Sequence, residues 1–204
     1  MRRVVLILSS ILIFASCKPS LQLPEGTSYT FEQNKLTIVS GGASYELLAL
    51  SKNIIKVAYS DSVTYSDKVY GPILDGSVKL NVKETESSLI VSTESVIVEV
   101  GFSPVRFTYS DSDNSLKLKE EEGFVRKDDT TAFRFLLSEN EAIYGTGSRS
   151  IPQNRRGFKF QCYNQANYGY GVGTDFLNYS VPAWVSSEKY MVLIDNPARA
   201  WFDI

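Results

Sequence analysis

Histidine is absent from the chain. That removes the serine–histidine–aspartate triad in its usual form, most zinc sites, and the base that a nucleophilic cysteine ordinarily needs. Cysteine is nearly absent too, with only Cys17 and Cys162 present. No basic block occurs and the formal net charge is −2, so the electrostatic footprint of a nucleic-acid-binding surface is missing and no nucleic-acid partner is expected. Also missing is any amphipathic helical pattern sustained over three turns. The apolar run near the start is too short to span a bilayer comfortably.

That run belongs to "MRRVVLILSSILIFAS", in which a basic head (Arg2, Arg3) precedes apolar residues, the pattern of a secretory signal peptide over residues 1–16. Cys17 follows Ala15 and Ser16 directly, and this order resembles the lipobox of bacterial lipoproteins, with Phe14 where leucine is usual. The resemblance implies cleavage before Cys17, a lipid on its thiol, and an exported lipoprotein held at a membrane, periplasmic or outer-membrane associated. With Cys17 acylated, Cys162 has no intramolecular partner and is expected as a lone buried thiol. "KPSLQLPEG" follows, with two prolines and a glycine and no periodicity. Residues 17–28 therefore read as anchor and tether, and the folded domain as 29–204.

From Tyr29 onward the chain offers short β-rich runs: "KLTIV", "NIIKVAY", "SVKLNV", "SLIVST", "SVIVEV", "VRFTYS" and "AFRFLL". Val78, Leu80 and Val82 alternate with Lys79 and Asn81, the period-two pattern of a half-buried antiparallel strand. "GG", "DG", "SDSDN" and "EEG" break the runs at hairpin-like intervals, and the charges of "YSDSDNSLKLKEEEGF" suit a long exposed turn. The expectation is an all-β fold, a large antiparallel β-sandwich. Asp111 and Asp113 alternate around Ser112, but the glycine and distal glutamate of a calcium loop are not at their offsets. Neither metal nor cofactor is expected.

"AIYGTGSRS" has two glycines but neither the third glycine of a dinucleotide fingerprint nor the lysine of a P-loop. A tight strand-end turn, with Gly145 and Gly147 in unusual backbone angles, is the expected structure. The turn "YGTGSR", the loop "YNQANYGY", the strand "NYSVPAWVSS" and "YMVLIDNPARAWFDI" follow one another in the last third of the chain. In that order they resemble the amino-terminal, galactose-mutarotase-like β-sandwich of glycoside hydrolase family 31, the α-glucosidase family. Ser148 stands where the family usually has glutamate before its arginine, and Gln165 and Ala166 where an acidic residue often follows the asparagine.

The resemblance implies a retaining hydrolase of α-linked glucosides or related α-glycosides, which needs a carboxylate nucleophile and a carboxylic acid about 5 Å apart. In the family these sit on a (β/α)₈ barrel of about 250 residues that follows the sandwich. This chain is too short to contain one, so it is expected to carry no catalytic pair and to be inactive alone. The ending "WFDI" has no cap or polar tail, and a barrel is expected after it. A free-standing carbohydrate-binding or interaction lipoprotein on the same sandwich is the alternative.

The tyrosine-rich loop would then reach toward the barrel mouth and touch an α-linked oligosaccharide. Tyrosine offers a ring face to a pyranose and a hydroxyl beside it, and asparagine amides donate and accept. Tyr163, Asn164, Asn167, Tyr168 and Tyr170 are the candidate substrate-binding residues. Arg155 and Arg156 could clamp a sugar or a barrel carboxylate but are read as exposed arginines making interface hydrogen bonds at a domain joint. "NYS" at Asn178 matches a glycosylation acceptor but in a bacterial protein is read as strand, and Asp195, Asn196 and Pro197 are read as a turn.

Overall fold

A computed structural model describes residues 20–61, 78–166, 168–175 and 177–204. Residues 1–16, read as a signal peptide, and Cys17 lie outside the described residues, as does Asn167. The described residues form strands and no helix: β1 (Ser28–Glu32), β2 (Lys35–Ser40), β3 (Ala43–Ser51), β4 (Ile54–Asp61), β5 (Asn81–Glu84), β6 (Leu89–Ser92), β7 (Val96–Phe102), β8 (Val105–Asp111), β9 (Leu116–Lys127), β10 (Thr130–Leu136), β11 (Ile143–Gly147), β12 (Lys159–Cys162), β13 (Ser180–Ser186), β14 (Met191–Leu193) and β15 (Ala200–Asp203).

All pairings are antiparallel. Strands β1 to β4 form one sheet in chain order, and β5 to β10 form a second, also in chain order. Their inner faces meet over a common core. Leu36, Ile38, Tyr45 and Leu47 come from the first sheet, and Leu89, Val91, Val98, Val100 and Phe107 from the second. This is the expected sandwich, with alternate side chains buried along each strand. Two smaller sheets, β11–β13–β14 and β12–β15, complete the fold at its carboxyl-terminal end.

Turn chemistry explains the first sheet. Gln33 and Asn34 link β1 to β2 and Gly41 and Gly42 link β2 to β3, all four with positive φ, as tight two-residue hairpins require. The Asn34 side chain also clasps the approach to β5, donating to the Val78 carbonyl and accepting from Leu80 N, both at 2.6 Å. Leu21 and Leu23, within the segment read as tether, pack against the core.

Two readings need correction. "EEG" is not a turn: β9 runs straight through it. Between Phe124, opposite Phe133, and Glu120, opposite Phe135, the strand bulges outward, and Glu121 and Glu122 ion-pair with Arg134 at 3.2 and 3.5 Å. Gly123 permits this with φ +77°, since a Cβ there would stand 2.3 Å from the Val105 carbonyl oxygen. In "SVKLNV", strand pairing starts only at Asn81, although Leu80 is buried and Lys79 exposed as the alternation requires.

An unbroken series of rings joins the sandwich to the small sheets. Tyr59 stacks on Phe124, and contacts continue through Phe133, Phe135, Trp184 and Phe202 to Phe160, with centroid separations of 5.0–6.4 Å from Phe124 onward. The carboxyl-terminal sheets are thereby fastened to the main body.

Candidate functional site

Gly145, Thr146 and Gly147 at the end of β11 all have positive φ, so the expected strained turn is present. Its purpose is close approach. A Cβ on Gly147 would lie 2.5 Å from the Tyr179 carbonyl oxygen and 2.7 Å from the Ser180 Cα. With glycine there, Ser148 N donates to the Tyr179 carbonyl at 2.8 Å, and the chain leads into Arg149 beside the start of β13.

Arg149 is 8% exposed. Its Nε donates to Thr146 Oγ1 at 3.2 Å, Nη1 to the Asp175 carbonyl at 2.5 Å, and Nη2 to the Thr146 carbonyl at 3.1 Å and Ser180 Oγ at 3.4 Å. The guanidinium also lies over the Phe160 ring, 4.0 Å from its centroid. Burial lowers its pKa from the usual arginine value. Next to it, Ser150 N donates to the Thr174 carbonyl and Gly173 N to the Ser150 carbonyl, each at 2.9 Å. The far end of the tyrosine loop is therefore tied to the turn.

The near end leaves β12 at Cys162. Asn164 Oδ1 accepts from Ser180 N at 2.6 Å, which leaves the amide nitrogen available, and the Arg199 guanidinium covers the Tyr163 ring at 4.6 Å. Asn164 and Tyr163 line an open recess of about 320 Å³ with Cys162, Ser180, Pro182, Asn196, Pro197 and Ala198. Asn196 holds its turn by accepting from Ala198 N at 2.8 Å. Tyr168 and Tyr170 project between the two ends, 89% and 51% exposed, with no hydrogen-bond or ring partner among the described residues. The structure thus separates the candidates into two that line the recess and two that stand free. Asn167 lies outside the described residues.

Cys162 is the lone buried thiol expected, and burial raises its pKa despite nearby Arg149 and Ser180, so it stays protonated and a poor nucleophile at neutral pH. Arg155 requires correction. It is buried, not exposed, and donates to the carbonyls of Gly145, Ile151 and Pro152 at 2.7–3.2 Å. Arg156 donates to the Ser138 and Glu141 carbonyls at 2.6 and 2.9 Å, so both guanidinium groups serve the fold.

Sequence reading missed Glu141. It is buried and accepts from Ser186 Oγ and Tyr190 Oη at 2.5 Å and from Ser138 N at 2.9 Å. Burial works against its charge, but these donors and Arg156 outweigh it and hold the carboxyl below its usual pKa. The only sequence signal is a glutamate just before a strand. The region as a whole offers ring faces and amides for contact with a polar ring, while its thiol is protonated and its buried carboxylate occupied.

Solved structures share the fold. The GH31 dextranase of Flavobacterium johnsoniae, in complexes with isomaltotriose and with glucose, superposes with a TM-score of 0.79 at 24% identity, over 87% of this chain and 23% of its own. The cycloalternan-forming enzyme of Listeria monocytogenes, in complex with a pentasaccharide substrate, gives 0.70 at 20% identity over 87% and 18%. A GH31 α-xylosidase from a soil metagenome, complexed with xylose, gives 0.70 at 19% over 86% and 29%. This chain therefore spans less than a third of the length of each of these enzymes. No curated protein matches it by sequence. Residues 44–203 match the model for the glycosyl hydrolase 31 N-terminal galactose mutarotase-like domain, and the chain belongs to that family.

Proposed function

We propose that this chain is the amino-terminal sandwich of an exported glycoside hydrolase acting on α-glucosides or related α-glycosides, and that its tyrosine loop supplies contacts to the sugar. Hydrolysis would come from a (β/α)₈ barrel following the segment. The observation that carries the binding role is the pair of exposed tyrosines, Tyr168 and Tyr170, on a loop whose near end, Tyr163 and Asn164, lines a recess together with Asn196. Exposed tyrosine ring faces suit the C–H face of a pyranose. The outer face of β11–β13–β14 adds Tyr144, Val185 and Met191, exposed and paired across the three strands, and exposed Leu193 opposite Ala183, as a surface that a following domain would cover.

Titration of the chain with isomaltotriose, followed by saturation-transfer NMR, tests the binding role. Transfer from tyrosine ring protons is expected. Tyr168→Ala and Tyr170→Ala should each weaken binding about five- to hundredfold, since one lost ring face or polar contact is worth roughly 1–3 kcal/mol. Absence of transfer from the wild-type chain, or equal affinity in both variants, refutes it.

A further inference from the structure

We propose that Arg149 is the positioning residue of the tyrosine loop, fixing the stem from which Tyr168 and Tyr170 project. The proposal rests on the sugar-binding reading for its purpose, but its geometry stands independently. Arg149 joins four separate pieces of chain through one planar group. These are the β11 turn (Thr146 Oγ1 and carbonyl), the far end of the loop (Asp175 carbonyl), the first residue of β13 (Ser180 Oγ) and the β12 ring of Phe160. A guanidinium can do this because its N–H groups are fixed in one plane while its faces remain free to stack. Lysine has neither property.

Its partners repeat the pattern. Ser180 N, on the same residue whose hydroxyl Arg149 holds, donates to Asn164 Oδ1 at the near end of the loop. Ser150, the next residue after Arg149, pairs with Gly173 and Thr174 at the far end. Both ends of the loop thus converge on Arg149 and its immediate neighbours. The tyrosines between those ends have no support of their own among the described residues. Their orientation depends on the stem.

The test uses the full chain with Arg149→Gln and Arg149→Lys. Hydrogen–deuterium exchange read by mass spectrometry should show peptides within 163–179 exchanging about tenfold faster in Arg149→Gln, with a smaller rise in Arg149→Lys, while β7 and β8 stay as protected as in the wild type. Isomaltotriose binding is then measured in a double-mutant cycle. Arg149→Gln should weaken binding by the wild-type loop and have no further effect when Tyr168→Ala and Tyr170→Ala are already present, because Arg149 acts through those rings.

Unchanged loop exchange in both variants overturns the proposal. So does exchange that rises equally in β7 and β8, or weakening that adds to the tyrosine substitutions. If the wild-type chain does not bind isomaltotriose, the sugar-binding reading fails, and loop exchange alone still decides whether Arg149 sets the stem.

Discussion

Glu120 sits on the inward side of β9, 4% exposed, with Oε2 accepting from Phe107 N at 3.0 Å. Burial raises its pKa to about 7, with the Phe107 hydrogen bond opposing the rise. The same carboxyl contributes to the elevated pKa of Tyr45, about 12, and of Tyr109, in both of which burial is the larger cause. Because the folded-state pKa lies above the unfolded value, the stability owed to the neutral carboxyl is fully present below about pH 4.5 and lost as pH rises through 7. The difference is roughly 3 kcal/mol. Glu120→Gln should flatten this dependence, so at pH 8 its Tm should exceed that of the wild type while near pH 4.5 the two converge. Thermal melts of both proteins at the two pH values check it, and parallel melting curves would refute it. Glu120, Glu141, Arg149 and Arg155 share one lesson. All are buried, whereas sequence reading places charges at the surface. Some of the groups that satisfy them are distant in the chain, up to 49 residues away for Glu141 and Tyr190, while others, such as the Ile151 and Pro152 carbonyls on Arg155, become partners only through the local path of the chain.

Among the elements, those rich in β-branched residues were legible from alternation alone, as β2, β6, β7 and β8 show. Strand β3 was not. Its "YELLAL" is built from residues that favour helix in isolation, and pairing with β2 on one side and β4 on the other overrides that preference. Strand β9 was hidden because its bulge puts Glu121, Glu122 and Gly123 together, which reads as a turn. The β11 turn was legible from its glycines, but the need for them at Gly147 lies in the Tyr179 and Ser180 backbone that folding brings alongside. Gly147→Ala therefore meets both an unfavourable φ and a backbone collision, and should cost about 2–3 kcal/mol. Gly157→Ala, at φ +82° with nothing within 4 Å, bears the φ penalty alone and should cost about 1 kcal/mol. Urea denaturation midpoints of the two variants compare them directly, and equal losses would show that the close approach at Gly147 carries no weight.

For the whole molecule, the sandwich and its family were legible because four ordered motifs fall in the last third, whereas the division of labour among the loop residues was not. Which tyrosine is covered by Arg199 and which stand free follows only from how β12, β13 and β15 meet. The export reading also belongs at this scale. We expect the mature protein in a bacterial host to begin at an acylated Cys17, and mass spectrometry of its amino terminus should find that lipid; an unmodified terminus elsewhere would contradict it. One further consequence follows from the way the loop is held. The ties described for it lie at Tyr163 and Asn164 on one side and at Gly171, Gly173, Thr174 and Asp175 on the other, while Tyr168, Tyr170 and the fully exposed Val172 have no side-chain partner among the described residues. Replacements at those outer positions should therefore cost the fold little. If the loop contacts sugar as proposed, descendants of this sequence can diversify in ligand taste by exchanging a few adjacent codons, and a library confined to that stretch should sample new preferences at little risk to the scaffold beneath it.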